Sequence, residues 1–130
     1  MKLRIALLIA FAVIIGALAL SLRAQTQTSM TVTLTAANTN YNLRTLLIGV
    51  DSRVVDNFTS ITFTAADANI DMVLVGDSSL SASRFGFNLG PGDSYTSPSR
   101  DPNDLVHPSL YYLRSATAGM VVHFIGRTTK

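Results

Sequence analysis

Cysteine, glutamate and tryptophan are all absent from this 130-residue chain. Without Cys there are no disulfides, no thiolate zinc sites and no thiol nucleophiles. Without Glu, and with Lys only at positions 2 and 130, the chain lacks the charged residues that favour helices. All eight acids are Asp, a residue of turns and caps. The net charge of +2 is unevenly placed, because Lys2, Arg4 and Arg23 flank the first apolar run. From Gln25 onward seven basic residues face eight Asp, a balance of −1 with no clustering. Nucleic-acid binding needs Lys and Arg gathered on one face, so no nucleic-acid partner is expected.

What the chain does contain begins with a hydrophobic segment. Residues 1–24 read MKLRIALLIAFAVIIGALALSLRA, with Lys2 and Arg4 ahead of an apolar stretch from position 5 to 20. That length suits the core of a signal peptide and is slightly short for a spanning helix. The segment is expected to be a signal peptide or an uncleaved membrane anchor, with the remainder exported. Residues 25–29 (QTQTS) read as a polar spacer and residues 30–130 as one domain. A domain of about 100 residues is near the usual size of a β-sandwich.

Short alternating runs fill that domain. Residues 30–35 (MTVTLT) and 58–65 (FTSITFTA) alternate with period two, as half-buried strands do. In the second run Phe58 falls in step with Ser60, Thr62 and Thr64, opposite Ile61 and Phe63. Residues 41–50 (YNLRTLLIGV) are ambiguous between a short strand and one helical turn. Residues 72–75 (MVLV) form a continuous apolar run that fits a central strand buried on both faces. Residues 85–89 (FGFNL) place Phe85, Phe87 and Leu89 on one side. Gly90-Pro91-Gly92-Asp93 is a turn and not a phosphate loop, because no Lys-Ser/Thr ending or helix follows. Residues 97–108 hold Pro98, Pro102 and Pro108 and form the longest irregular stretch. Residues 110–114 and 119–127 complete seven or eight strands. The expected fold class is all-β: a small antiparallel β-sandwich or jelly-roll-like domain preceded by one hydrophobic N-terminal helix.

Residues 72–96, MVLVGDSSLSASRFGFNLGPGDSYT, carry a familiar pattern. It runs from an apolar strand through Gly-Asp and a Ser-rich link to a strand ending in Leu-x-Pro-Gly-Asp-Ser. This resembles small bacteriophage virion structural proteins. The resemblance implies a β-sandwich that packs into a virion or decorates its surface. The chain departs from such proteins at its N-terminus, where most of them lack an export leader. That departure implies a membrane-associated virion protein or a cellular surface protein with the same fold.

No catalytic, cofactor-binding or metal-binding residue is expected. His107 lies in the Pro-rich loop and His123 on a strand beside Val122 and Phe124, sharing a face with Val121 and Ile125. Neither has a visible nucleophile or ligand set beside it. Asp67, Asn69 and Asp71 alternate as calcium ligands do, but the EF-hand Gly and closing Glu are missing. Asx-type turn bonds explain them more simply. Asn57-Phe58-Thr59 fits a glycosylation sequon. Tyr41, Tyr95, Tyr111 and Tyr112 offer a core-plus-rim set or a carbohydrate platform. Tyr111 and Tyr112 must point to opposite faces of any strand.

The expected function is therefore non-enzymatic: a structural or interaction protein, a phage virion component by the resemblance. The alternative is a secreted or envelope-anchored module binding a glycan or protein. Its expected partners are copies of itself or other virion or envelope proteins, with the membrane reached through residues 1–24 if these are uncleaved. Its expected location is the virion or the cell envelope.

Overall fold

Period-two alternation becomes two four-stranded antiparallel sheets in a computed structural model that describes residues 25–54, 57–98 and 105–129. The strands are β1 (Gln25–Leu34), β2 (Tyr41–Asn42), β3 (Ser60–Ala65), β4 (Val73–Gly76), β5 (Phe87–Leu89), β6 (Ser94–Pro98), β7 (Tyr112–Arg114) and β8 (Met120–Thr129). One helix, α1 (Leu43–Val50), lies between β2 and β3, and a 3-10 turn (Pro108–Leu110) precedes β7. Sheet A has the order β1-β8-β3-β6 and sheet B the order β2-β7-β4-β5. Only the β4–β5 connection stays within one sheet; every other connection crosses to the opposite one. This order fits an eight-stranded jelly roll.

Each sheet buries one face. On sheet A, Val32 and Leu34 of β1, Ile61, Phe63 and Ala65 of β3, and Met120, Val122 and Phe124 of β8 all point inward. On sheet B, Val73, Val75, Leu89 and Leu113 do the same, and one cluster joins both sets. Phe63 is the hub. It meets Phe124 at 6.4 Å, Phe87 at 6.1 Å and Tyr111 at 5.3 Å between ring centroids. Such tilted aromatic contacts add roughly 0.5–1.5 kcal/mol each beyond the area they bury.

The two open sides of the sandwich are closed differently. Helix α1 closes the β1–β2 side. Asn42 caps it by accepting from the Thr45 backbone N–H at 3.3 Å, and Leu43 and Leu47, four residues apart, share its buried face. On the β5–β6 side Phe87 and Tyr95 stack at 3.9 Å. There Tyr111 also ties sheet B to sheet A, its hydroxyl 2.7 Å from the Ser97 hydroxyl. The turn at residues 90–93 forms as expected. Gly92 takes a positive φ of 81°, and the Asp93 side chain accepts from the Gly90 N–H at 2.9 Å.

Four local expectations need correction. Residues 25–29 are the first half of β1, paired with residues 125–129 of β8, because the Thr- and Gln-rich stretch continues the ladder. The stretch at 41–50 is both a two-residue strand and a full eight-residue helix. The run 72–75 is buried on one face only: Met72 is 47% exposed and Leu74 half-buried, since no layer covers the outside of sheet B among the described residues. Phe85 does not share the inner face with Phe87 and Leu89; it is 45% exposed, outside the strand. The expected N-terminal hydrophobic helix and residues 99–104 of the Pro-rich loop lie outside the described residues. No described helix is long and apolar enough to cross a membrane.

Phe58 also breaks the expected phase. It is fully buried, although it falls in step with the outward residues of β3. The backbone changes direction before β3, where Phe58 exchanges hydrogen bonds with Val106 at 3.0 and 2.7 Å. Its ring then lies directly over Gly126 and edge-on to Phe124, 5.5 Å between centroids. A Cβ at position 126 would sit 2.3 Å from that ring. Gly126→Ala is therefore expected to destabilise the fold by about 2–3 kcal/mol through overpacking. Chemical denaturation checks this, and Phe58→Leu in the same chain should recover part of the loss.

Candidate interaction surface

Sheet edges are where a sandwich meets partners, and nature blunts them when they are not used. Four strands here are edges: β1 and β6 in sheet A, β2 and β5 in sheet B. Three are blunted. Strands β2 and β5 span two and three residues, and β6 contains Pro98, which has no backbone donor. Strand β1 is ten residues long, without Pro, charge or bulge, and its pairing with β8 is continuous. Among the described residues no strand pairs with its far edge.

The outer face of sheet A extends the same chemistry. The register aligns Thr31, His123, Thr64 and Ser94 in one row, and Ser29, Ile125, Thr62 and Thr96 in the next. Thr62 and Thr96 hydroxyls lie 2.9 Å apart and those of Thr64 and Ser94 2.7 Å apart. Thr31 Oγ1 sits 3.0 Å from His123 Nδ1. These rows hold no acidic side chain and no Arg or Lys.

The residues singled out in the sequence are mostly absorbed by local structure. His123 is exposed on this outer face, while His107 begins the 3-10 turn, its carbonyl accepting from the Leu110 N–H at 3.1 Å. The alternating Asp67-Asn69-Asp71 set does not converge on a point. Buried Asn69 accepts from the Val121 N–H at 2.8 Å and donates to the Val121 carbonyl at 2.9 Å, standing in for a missing strand residue beside β8. Asp71 accepts from the Met72 N–H and from the Thr117 hydroxyl, both at 2.8 Å. Among the described residues no group of three or more acidic or His side chains could hold a metal ion. The tyrosines do not form one platform. Tyr41 and Tyr111 pack on the core, and the Tyr41 hydroxyl accepts from the Ala36 N–H at 2.7 Å. Tyr95 stacks on Phe87, and Tyr112 lies on the outer side of sheet B, in register with Gly76.

Two concavities stand out among the described residues. A groove of about 230 Å³ runs beside β1, with Thr26, Thr28 and Met30 on one side and Val54, Asp51 and Arg53 on the other. Arg53 grips Asp51 with two hydrogen bonds of 3.1 and 3.2 Å, and this pairing holds the Asp51 carboxyl below the usual carboxylate range. The pair is exposed and contributes little to stability. A second cleft, of about 160 Å³, opens between β4 and β5, lined by Gly76, Asp77, Arg84, Phe85 and Gly86. In the sequence Gly76-Asp77 stands out only as part of the Gly-Asp and Ser-rich link between two strands. The overlooked signal was Gly76-Asp77 at one end of the hairpin and Arg84-Phe85-Gly86 at the other.

No family model matches the chain. No curated protein matches it. Two solved structures show partial likeness. A de novo designed double-stranded β-helix is 16% identical, with a TM-score of 0.39, covering 78% of this chain and 97% of the design. The virus-like particle of the extra small virus of the giant freshwater prawn Macrobrachium rosenbergii is 11% identical, with a TM-score of 0.37, covering 82% of this chain and 80% of that one. At TM-scores below 0.5 neither likeness bears on the function of this chain.

Asn69 provides the sharpest check on the end of the sandwich formed by the β3–β4 and β7–β8 loops. Asn69→Ala leaves the half-buried Val121 N–H without its acceptor, at a cost of about 1–2 kcal/mol. Urea titration should show this loss whether or not calcium is present. A stability that rises with added calcium in the unaltered protein would instead mark the loop as a cation site.

Proposed function

We propose that this chain is a non-enzymatic structural subunit that assembles with copies of itself in a virion or an envelope-linked particle. The observation that carries the reading is the contrast among the four sheet edges: three are blunted by shortness or by proline, whereas β1 is ten residues long and uncharged and pairs with no other strand at its far edge among the described residues, although α1 packs near it. An antiparallel β1–β1 pair across a twofold axis would align Gln, Ser and Thr side chains with their counterparts and meet no like-charge repulsion. The near-neutral balance of residues 25–130 favours association in the same direction. Jelly rolls serve as capsid domains and as lectin domains alike, so the fold is compatible with this role and does not by itself select it. In this reading residues 1–24 deliver the subunit to, or hold it at, the envelope.

Light scattering coupled to size-exclusion chromatography of the purified protein tests the assembly. Dimers or larger closed species are expected at micromolar concentration, and Ser29→Lys with Thr31→Lys should shift them to monomer by placing paired charges along the seam. A monomer at all accessible concentrations contradicts the reading. Mass spectrometry of purified phage particles tests the virion: many copies per particle support it, and recovery only from the envelope fraction argues for a cellular surface role.

A further inference from the structure

The cleft between β4 and β5 is organised beyond what a hairpin connection requires. Leu80, 3% exposed, anchors the loop from below, and its N–H and carbonyl are held by the Asp77 carbonyl at 3.0 Å and by Asn40 Nδ2 at 2.7 Å. Ser81 and Arg84 close a tight turn with backbone bonds of 2.9 and 3.3 Å, and Ser81 Oγ accepts from the Arg84 N–H at 3.1 Å. These bonds fix where Arg84 and Phe85 leave the chain. Asp77 is fixed too: one carboxylate oxygen accepts from the N–H and the hydroxyl of Ser79. Hydrogen bonding to Ser79, aided weakly by the Arg84 charge, keeps that carboxyl ionised below its usual range. Its second oxygen takes part in neither of these bonds.

The floor is backbone. A Cβ at Gly76 would stand 3.1 Å from the Leu80 side chain and 3.4 Å from the Gly86 nitrogen, and one at Gly86 3.2 Å from the Val75 carbonyl and 3.9 Å from the Gly76 Cα. Phe85 stands 45% exposed at the rim, on a chain whose other phenylalanines with described exposure are more buried. The cleft thus offers an anionic acceptor, a cationic donor and an apolar ring within about 160 Å³.

We propose that this cleft binds the pyranose ring of a neutral glycan. Paired charges of opposite sign repel neither ion strongly and select neither, so an anionic or cationic ligand gains from one wall what it loses at the other. A vicinal diol satisfies both walls at once: one hydroxyl donates to the free Asp77 oxygen, and its neighbour accepts from the Arg84 guanidinium. The apolar C–H face of the ring covers Phe85, and the side-chain-free floor lets the sugar edge come close. Pre-fixing the loop lowers the ordering cost of binding. This site is independent of the β1 seam, and the two readings stand or fall separately.

Saturation-transfer NMR and calorimetry test the proposal with the full-length protein in a detergent that has no sugar headgroup. The probes are the methyl α- and β-pyranosides of glucose, galactose and mannose, with glucuronate and glucosamine as charged controls. At least one neutral glycoside is expected to bind with a dissociation constant in the millimolar range, of the order of 1–10 mM, as a single shallow site allows. Asp77→Asn, Arg84→Ala and Phe85→Ala should each weaken it about tenfold or more, corresponding to roughly 1.4 kcal/mol per factor of ten. Arg53→Ala in the other groove should leave it unchanged. Arg84 and Phe85 are exposed, so their variants report on binding even if Asp77→Asn disturbs the loop. No saturation transfer to any neutral glycoside at about fifty times the millimolar range, preferential binding of glucuronate, or affinity indifferent to Arg84 and Phe85 would each overturn the assignment.

Discussion

The register of β8 is the constraint on which the rest of this sandwich depends. β8 lies between β1 and β3 and pairs with both. One alignment places Phe124 between Met30 and Phe63, facing inward, and His123 between Thr31 and Thr64, facing outward. A slip of one residue would exchange the two faces, sending Phe124 to solvent and His123 into the core. Truncating a buried Phe at such a position costs about 3–5 kcal/mol, a large part of the total stability of a domain this size. The register is therefore held by apolar burial, and the hydroxyl pairs across the outer face follow from it.

Several further features descend from that alignment. Gly126 must lack a side chain because Phe58 packs on it, and Phe58 reaches it because the chain turns before β3. Asn69 extends the ladder at Val121 where no strand residue is available. The open sides need their own closure, which α1 gives to one and the Phe87–Tyr95 stack to the other. What is left for partners is the long edge of β1, the uncharged rows of sheet A and the cleft of the β4–β5 hairpin. Opposite-sign charge and an exposed aromatic ring set that cleft apart from the hydroxyl rows.

Much of this was legible in the sequence wherever one face is apolar and the other polar. Residues 30–35 and 61–65 alternate cleanly because each strand has one dry face, and Gly90-Pro91-Gly92-Asp93 announces its turn through residues suited to it. Reading failed where the local pattern carried no contrast. Residues 25–29 are polar on both faces, so nothing marked them as strand, although Thr is a good strand former. Helix α1 has only eight residues, too few for its spacing to stand out from a strand end. Phe58 looked outward because a phase change before β3 leaves no trace in alternation. The cleft was hidden because Asp77 and Arg84 meet only once the hairpin has folded.

The strand alignment and the function proposed for it rest on different footings: the register follows from burial, whereas the choice of partner follows from which edges and walls are left open. Amide hydrogen exchange followed by NMR reaches the register most directly. The slowest-exchanging amides should lie at residues 121–126 of β8 and 61–65 of β3, with those of α1 and of the β4–β5 loop exchanging orders of magnitude faster. Fast exchange along β8, with α1 the most protected element, would contradict the account.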